Sequence, residues 1–267
     1  MLRASFWQWQ RHQHKLEYIK TLQERLEKPV SDINEIIKEN TDIQELAYRR
    51  FSIEGEYDYE HEIILRNRRF NDDPGSFVIT PLKIKDSEKY ILVSRGFIPL
   101  SYSARDKRTI FRKEKSIKFL GLLKESQTRR FLAPADPQSG EELPWVDGWL
   151  RIDIENIAKQ LPYPLLPVYA EIMSTDNTQE ITAKIIVSKS DKHDIFFLAG
   201  KSTIPGPVRG EDLSHYPIAV FDTVVPAGRH LGYVFEWAFM AAMTLLICII
   251  LQFRRTFALK SKSSAVN

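Results

Sequence analysis

Hydrophobic and polar positions follow a helical spacing in the first part of the chain. Over residues 7–28, leucines and isoleucines recur every three or four residues among charged ones, which predicts an amphipathic helix. Pro29 ends this helix, because proline cannot continue the helical hydrogen bonding. A second apolar stripe predicts a short helix over residues 33–47. Residues 11–47 are therefore predicted as a helical segment that precedes the next domain.

From residue 48 to residue 228, short runs of β-branched and aromatic residues alternate with turn formers, a pattern typical of strands. "RRFSIEGEYDY" and "HEIILRNRRF" are predicted to form one antiparallel hairpin. "SFVITPLKI" and "KYILVSRGFIPL" are predicted to form a second hairpin through the polar residues 85–89. Further predicted strands are "SIKFLGLL", "WLRIDI", "VYAEIM" and "ITAKIIVSK", while residues 154–161 are predicted to be helical. The predicted fold class is α+β, with a mainly antiparallel β-sheet domain outside the membrane.

A long apolar run near the C-terminus predicts a transmembrane helix over residues 231–253. Glu236 is the only charged residue in this run, and its length corresponds to about 35 Å of helix, enough to cross a bilayer. Residues 254–267 form a basic tail. By the positive-inside rule this tail faces the cytoplasm or the mitochondrial matrix, and residues 48–228 lie on the opposite, periplasmic or intermembrane side.

That orientation requires an export signal or another membrane helix before the domain. The opening "MLRASFWQWQRHQHK" contains no apolar run long enough for either. We interpret residues 1–10 as the remnant of the outer end of a first transmembrane helix. The alternative is a tail-anchored protein whose domain stays in the cytoplasm, an arrangement that the charge bias around the span disfavours.

Composition and motifs exclude several functional classes. With 38 basic and 35 acidic residues, and without a basic stripe interleaved with aromatics, the chain is not predicted to bind nucleic acid. Its single cysteine, Cys248, lies in the predicted span, which excludes a disulfide framework and a cysteine zinc site. Glycine-rich phosphate loops, nucleophile elbows and zinc-protease motifs are absent from the sequence. No motif indicates an enzyme, although catalytic groups can also come together from distant positions in a sequence.

One histidine stands at the start of the predicted span. His230, Tyr233 and Trp237 are three and four residues apart and share one helix face. This face suits a porphyrin that needs an axial ligand and ring contacts, but it is also typical of an aromatic belt at the membrane surface. Glu236 lies beside the face and is predicted to mark a helix–helix contact. The other histidines are interpreted as surface or strand-edge residues: His12, His14, His61, His193 and His215.

Three short segments, found in the same order along the chain, resemble elements of one protein family. "WQWQRHQHK" fits W-Q-x-x-R-x-x-x-K, "SRGFIP" fits R-G-[WF]-[IV]-P, and "RHLGYVFEWAF" fits H-L-x-Y-x-x-x-W. The matching residues are Trp7, Gln8, Arg11 and Lys15, then Arg95, Gly96, Phe97 and Pro99, then His230, Leu231, Tyr233 and Trp237. On these motifs the chain resembles the Surfeit-locus family of cytochrome c oxidase assembly factors.

The resemblance implies a non-enzymatic role in building haem-copper oxidases, in which haem a is inserted into the catalytic subunit. Implied partners are cytochrome c oxidase subunit 1, haem a synthase-type proteins and membrane lipid. His230 matches the histidine through which bacterial relatives are proposed to bind haem a, with Tyr233 and Trp237 against the ring. The alternative is a scaffold that holds assembly partners without binding haem.

The family pattern also implies two membrane helices with the soluble domain between them. We expect a bacterial-type, multi-pass inner-membrane protein with a periplasmic domain, lacking most of its first helix; a mitochondrial inner membrane is the alternative. Arg11 and Lys15 are expected to meet lipid phosphates or haem propionates. Arg95 and Gly96 have two interpretations: a structural bulge with an ion pair to a carboxylate of the same domain, or a partner-binding element.

Overall fold

A computed structural model gives the architecture of most of the chain. It describes residues 2–38, 46–70, 73–112, 115–129, 131–141, 143–174, 184–187, 195–198, 213, 216–219 and 228–264. The chain divides into a helical unit (Met1–Leu22, Ile186–Phe196 and Thr223–Asn267) and a barrel unit (Gln23–Ile185 and Phe197–Asp222).

The described residues include four α-helices and ten β-strands. The helices are α1 (Leu2–Glu27), α2 (Ile33–Lys38), α3 (Ile154–Ala158) and α4 (Gly228–Ser264). The strands are β1 (Ser31–Asp32), β2 (Arg50–Tyr57), β3 (Ile63–Phe70), β4 (Asp73–Ile84), β5 (Tyr90–Pro99), β6 (Ser116–Glu125), β7 (Gly148–Trp149), β8 (Leu165–Ser174), β9 (Lys184–Val187) and β10 (Ile195–Leu198). Three short 3₁₀ turns span Tyr59–His61, Leu100–Tyr102 and Lys107–Phe111.

Five strands of the barrel unit close into a ring in the order β2, β6, β8, β5 and β4. The ring closes because β4 also pairs with the end of β2, with Tyr57 opposite Leu82. β3 and β7 extend the sheet from the edge of β4, and β1 lies beside β2. Most neighbours are antiparallel, whereas β8 runs parallel to β5. The predicted α+β class with a mainly antiparallel sheet is therefore confirmed.

The barrel interior is filled by alternating strand residues. Along β2, Phe51 and Ile53 point inward, as the period of two in a strand requires, and Phe51 meets Phe119 of β6 edge to face at 6.4 Å between ring centroids. Ile33 and Ile36 of α2 pack onto the same cluster. Each of these side chains is at most 1% exposed, so burying them contributes about 1.5–3 kcal/mol apiece.

A second cluster lies on the other side of β4 and β5, under α3 and β7. Its largest member is Trp149, which is fully buried and donates from Nε1 to the carbonyl oxygen of Val146 at 2.9 Å. Asp153 caps α3 by accepting a hydrogen bond from the backbone nitrogen of Asn156 at 3.2 Å. Ile154 and Ile157 of α3 then face this cluster.

Of the two predicted hairpins, one is confirmed and one is wrong. β4 and β5 pair antiparallel across the polar turn at residues 85–89. β2 and β3, by contrast, do not pair with each other; they lie one after the other along the same edge of β4. The segment between them is a 3₁₀ turn capped by Asp58, which bends the strand without reversing its direction.

The shorter predicted elements differ from the structure at their ends. The first helix is present but begins at Leu2, and α2 covers Ile33–Lys38, while residues 39–45 of the predicted second helix lie outside the described residues. Of the predicted strand at 149–154, only Trp149 belongs to a strand, because the backbone nitrogens of Leu150 and Ile152 donate to the side chains of Asp136 and Gln127 and α3 begins at Ile154. The predicted helix at 154–161 ends at Ala158.

In the helical unit, α4 is a single helix of 37 residues. Its segment Leu231–Arg255 is long and apolar enough to cross a membrane, and the side chains of its most apolar stretch are not buried. The start of α1 touches this helix: Ser5 Oγ donates to the carbonyl oxygen of Val234 at 3.0 Å. The two helices therefore meet close to the first turn of the candidate span.

Candidate functional site

The helix face singled out from the sequence lies in the first turns of α4. Tyr233 is 42% exposed and Trp237 is half-buried, so both rings present surface to an incoming ligand. His230 lies within α4, but its side chain is outside the part of the chain that the structure describes. Its role as an axial ligand therefore stays a prediction.

Glu236 lies on the flank of this face, three residues after Tyr233. Its side chain is exposed, although it belongs to the candidate membrane span. A carboxylate at membrane depth is costly unless it meets a protein group or water. The predicted helix–helix contact at Glu236 is untested and remains a prediction.

Cations of α1 stack on aromatic rings of the same helix. The guanidinium of Arg11 lies 5.2 Å from the ring centroid of Trp7, and the ammonium of Lys15 lies 4.7 Å from that of Tyr18. Gln8, which lies between Trp7 and Arg11 in the sequence, is half-buried. The first family-like segment follows directly after Ser5, which contacts α4. It therefore starts beside the helix that carries the third family-like segment. Aromatic rings, cations and a nearby histidine position together fit an anionic macrocycle.

The second family-like segment lies at a bulge in β5. Between Gly96, opposite Val78, and Ser94, opposite Ile79, the register of β5 shifts by one residue. Gly96 has a φ of 123°, and a Cβ there would collide with the carbonyl oxygen of Ile218. This close approach lets Phe97 and Ile218 exchange two backbone hydrogen bonds of 2.8 and 3.0 Å. Gly96 thus permits the bulge and the close backbone approach that its structural interpretation predicted.

Arg95, the extra residue of this bulge, points into the domain and is 5% exposed. Its Nη1 donates to Oε2 of Glu62 at 2.9 Å and its Nη2 donates to the carbonyl oxygen of Phe111 at 2.5 Å. The guanidinium also lies 5.2 Å from the ring centroids of Tyr57 and Tyr59. Arg95 therefore has the intradomain carboxylate partner that its structural interpretation predicted.

Glu62 is the centre of a buried charge network that the sequence did not indicate. Its Oε2 also accepts from Thr80 Oγ1 at 2.9 Å, and its Oε1 accepts from Nε of Arg108 at 3.1 Å. Arg108 also binds Asp147, because its Nη1 donates to Oδ2 of that residue at 2.8 Å. Burial lowers the pKa of Arg108, but Asp147 and Glu62 outweigh it and hold this pKa above its usual value. Both oxygens of the Glu62 carboxylate are thus satisfied.

A second network surrounds His61, for which the sequence predicts a position at the surface or at a strand edge. The Oδ2 atom of Asp58 lies 2.6 Å from His61 Nδ1 and accepts from the hydroxyl of Tyr163 at 2.6 Å. Burial raises the pKa of Asp58, but the hydrogen bonds from Tyr163 and His61 outweigh it and hold this pKa below its usual range. Burial and the same carboxylate raise the pKa of Tyr163. Tyr163 also stacks on Tyr90 at 3.6 Å between centroids.

Within the described residues, no group of three or more His, Cys, Asp and Glu side chains is arranged to hold a metal ion. The barrel networks pair their charges internally.

Comparison with known proteins decides the family. Residues 1–242 match the model of the SURF1 family, a range that includes all three family-like segments, the whole of α1 and the first part of α4. The chain belongs to the SURF1 family. The resemblance inferred from the short motifs is thereby confirmed at the level of the SURF1 family.

Individual SURF1 relatives are similar at low identity. A SURF1-like protein of Monosiga brevicollis is 23% identical over 256 residues, covering 92% of this chain and 81% of the relative. A SURF1-like protein of Rickettsia bellii is 28% identical over 160 residues, covering 58% and 59%. Surfeit locus protein 1 of Gallus gallus is 26% identical over 202 residues, covering 70% and 62%. This chain therefore spans less than two thirds of the length of the last two relatives.

The SURF1 match leaves two finer expectations open. Relatives come from both bacterial and animal sources, so the bacterial-type assignment stays a prediction. The interpretation of residues 1–10 as the remnant of a first membrane helix also stays a prediction. The structure shows one helix suited to a membrane among the described residues, Leu231–Arg255, which overlaps the predicted span at 231–253.

Proposed function

We propose that this chain assists the assembly of cytochrome c oxidase by helping haem a enter the catalytic subunit, subunit 1. The observation that carries the proposal is the SURF1 family match over residues 1–242, because members of this family are known as cytochrome oxidase assembly factors. The role is non-catalytic: the protein binds haem a and the subunit that receives it, and it converts no substrate.

The face of α4 is the proposed haem-binding element. His230 would bind the haem iron, and Tyr233 and Trp237 would contact the porphyrin, since the rings of Tyr233 and Trp237 are accessible and lie on the same helix face as position 230. Binding of the iron through one protein ligand would let the haem leave again. That suits a carrier, which has to release its cargo to the oxidase.

The first helix is proposed to close the site. Ser5 contacts Val234 one turn beyond His230, and Trp7, Gln8, Arg11 and Lys15 follow along α1. Arg11 and Lys15 are cations that can pair either with haem propionates or with lipid phosphates. A hydrogen bond from either cation to a propionate or to a phosphate is charge-assisted and therefore stronger than a neutral one.

The proposed location is the bacterial inner membrane, with the barrel unit on the periplasmic side and the basic tail in the cytoplasm. The candidate span in α4 and the basic residues after it support this orientation. Proposed partners are subunit 1 of the oxidase and haem a synthase-type proteins, which lie in the same membrane. The mitochondrial inner membrane is the equivalent location in a eukaryotic host.

A scaffold without haem is the second candidate, favoured by Glu236. This carboxylate is exposed on a helix suited to the membrane, and ionisable residues at that depth usually face a protein partner. In this alternative, α4 binds a helix of an assembly partner through Glu236. In that case, Arg95 and Gly96 have only a structural role within the barrel unit.

The test is deletion of the gene, followed by reduced-minus-oxidised spectra of the membranes and oxygen uptake with a cytochrome c electron donor. We expect loss of the a-type haem signal and of oxidase activity, with b- and c-type haems retained. Restoration by the wild-type gene and not by a His230→Ala variant supports the carrier role. Restoration by both genes supports the scaffold, and unchanged spectra in cells that make the oxidase refute the assembly role.

A further inference from the structure

Five stacked side chains follow one another in the barrel unit and form a ladder: Arg105, Trp145, His61, Tyr163 and Tyr90. The guanidinium carbon of Arg105 lies 5.5 Å from the ring centroid of Trp145. The ring centroid of His61 lies 5.4 Å from that of Trp145 and 5.8 Å from that of Tyr163. Tyr163 in turn stacks on Tyr90 at 3.6 Å. Each ring is therefore in contact with the next, and aromatic rings in contact exchange electrons readily.

Tyr163 has a proton acceptor in place. Its hydroxyl donates to Oδ2 of Asp58 at 2.6 Å. Burial raises the pKa of Asp58, but the hydrogen bonds from Tyr163 and His61 outweigh it and hold this pKa below its usual range, so the carboxylate is ionised at neutral pH. A phenol that has lost an electron is a strong acid, and its proton can cross this hydrogen bond to the carboxylate. Asp58 therefore makes Tyr163 easier to oxidise.

Trp145 has the opposite surroundings. Its Nε1 atom is buried and finds no hydrogen-bond partner among the described residues, so an oxidised indole has no group to which it can pass its proton. The guanidinium of Arg105 lies against the ring, and this charge disfavours a second positive charge on the indole. The indole is half-buried, which leaves part of it open to small molecules in solution. An electron vacancy at Trp145 is therefore driven along the ladder to Tyr163.

We propose that Tyr163 is a redox site, at which small one-electron oxidants such as the carbonate radical leave a phenoxyl radical. The oxidant takes one electron from Trp145 and forms an indole radical cation. This cation takes one electron from Tyr163 by way of His61, and the phenolic proton moves to Oδ2 of Asp58. The products are a neutral indole, a neutral phenoxyl radical and a protonated carboxyl group. A soluble reductant of the ascorbate class returns the electron, and Asp58 returns the proton. The redox site is independent of the proposed role in oxidase assembly.

The experiment uses the full chain in detergent, with Cys248→Ser so that no thiol of the protein reduces the radical. Peroxynitrite in bicarbonate buffer supplies the carbonate radical as oxidant and nitrogen dioxide as a trap. Nitrogen dioxide adds to a phenoxyl radical, so the nitrotyrosine content of each peptide, measured by mass spectrometry, reports where the radical settles. The internal comparison is Tyr102, which is half-buried like Tyr163, packs on Phe111 and has no carboxylate partner among the described residues.

We expect Tyr163 to be nitrated in preference to Tyr102. Asp58→Asn should abolish this preference, because a side-chain amide does not take up the phenolic proton. Trp145→Phe should lower the nitration of Tyr163, because phenylalanine is not oxidised by the carbonate radical. The matched control is Asp153→Asn: Asp153 is also a capping carboxylate and accepts hydrogen bonds from Asn156, so its replacement should leave the preference unchanged.

Three results overturn the proposal. In the first, Tyr163 and Tyr102 are nitrated equally in the chain that carries only Cys248→Ser, a comparison that needs no variant of the ladder. In the second, the preference for Tyr163 survives in Asp58→Asn, which assigns it to the exposure of the ring. In the third, nitration of Tyr163 is unchanged in Trp145→Phe. A circular dichroism spectrum matching the wild type establishes that each variant is folded.

Discussion

Arg108 and Glu62 form an ion pair in which Nε of the arginine donates to Oε1 of the carboxylate at 3.1 Å while each side chain is only 1% exposed. The pair joins the 3₁₀ turn at Lys107–Phe111 to the residue that precedes β3. Such a pair is tolerated in the interior because Thr80, Arg95 and Asp147 satisfy the remaining polar atoms. The network therefore fixes the geometry of the bulge that carries Gly96.

Removing the central charge should be strongly destabilising. Glu62→Gln leaves two buried guanidinium groups without their shared carboxylate, and we expect the free energy of unfolding to fall by about 3–5 kcal/mol. The measurement is denaturant unfolding of the detergent-solubilised chain, followed by tryptophan fluorescence. The control is Lys115→Ala, which removes an exposed pair with Glu56 and should cost less than about 1 kcal/mol. Equal losses in the two variants would contradict a structural role for the network.

Gly96→Ala should open the contact between β5 and the segment around Ile218. The new Cβ meets the carbonyl oxygen of Ile218 and the φ of 123° becomes strained, which costs about 1–3 kcal/mol. Amide hydrogen exchange is the direct measurement: protection of Phe97 and Ile218 should drop while that of Phe51 is retained. Gly140→Ala is the matched control, because a Cβ there meets nothing within 4 Å. Retained protection at Ile218 in Gly96→Ala would argue against this role.

Asp58 should contribute stability that acid removes. Its pKa is lowered in the folded state, so the contribution is present above the unfolded pKa of about 4 and is lost as the pH falls through the folded value. We expect the difference in unfolding free energy between wild type and Asp58→Asn to be larger at about pH 5 than at about pH 3. Unfolding curves at the two pH values measure it.

Tyr163→Phe extends the Asp58 test. It removes the hydrogen bond that Tyr163 donates, so the pKa of Asp58 should rise toward its usual value and the acid-induced loss should begin at higher pH. The control is Glu141→Gln, an exposed carboxyl group whose removal should leave the pH dependence unchanged. A pH dependence that is the same in wild type, Asp58→Asn and Tyr163→Phe would show that the Asp58 hydrogen bonds are not formed.

His230→Ala should weaken haem a binding by the purified chain about tenfold or more, because the axial nitrogen is lost. The measurement is titration of haem a followed by its absorbance bands, whose position also reports axial ligation. His61→Gln removes an imidazole from the barrel unit and should leave both affinity and band position unchanged. Trp237→Leu should weaken binding about threefold without moving the bands. Unchanged affinity in His230→Ala would remove this residue from the proposed site.

The sequence was informative where the signal was local. The polar turn at residues 85–89 correctly predicted the β4–β5 hairpin, and the apolar run predicted the membrane-suited part of α4. A comparable turn signal near Tyr59 was misleading, since Asp58 caps a 3₁₀ turn there and the chain continues in the same direction. Turn-forming residues show that a strand is interrupted, but they do not show whether it reverses.

The candidate site was predictable only as far as its residues lie close in sequence. The spacing of Tyr233 and Trp237 follows from helix geometry alone. The partner of Arg95 could not be named, because Glu62 lies 33 residues away in a segment that resembles a solvated strand end. The surroundings of His61 were missed for the same reason, since Tyr163 reaches Asp58 across 105 residues.

The position of β8 determines when the ring of strands can close during synthesis of the chain. It is the last of the five ring strands to be synthesised, yet it stands between β6 and β5 and bridges them. Until Leu165–Ser174 has been made, β5 and β6 each have an unpaired edge, and the ring stays open. Because the chain is synthesised from its N-terminus, the barrel cannot close before β8 has been made. A chain whose synthesis stops before Leu165 is therefore an open, aggregation-prone intermediate and not a smaller stable domain.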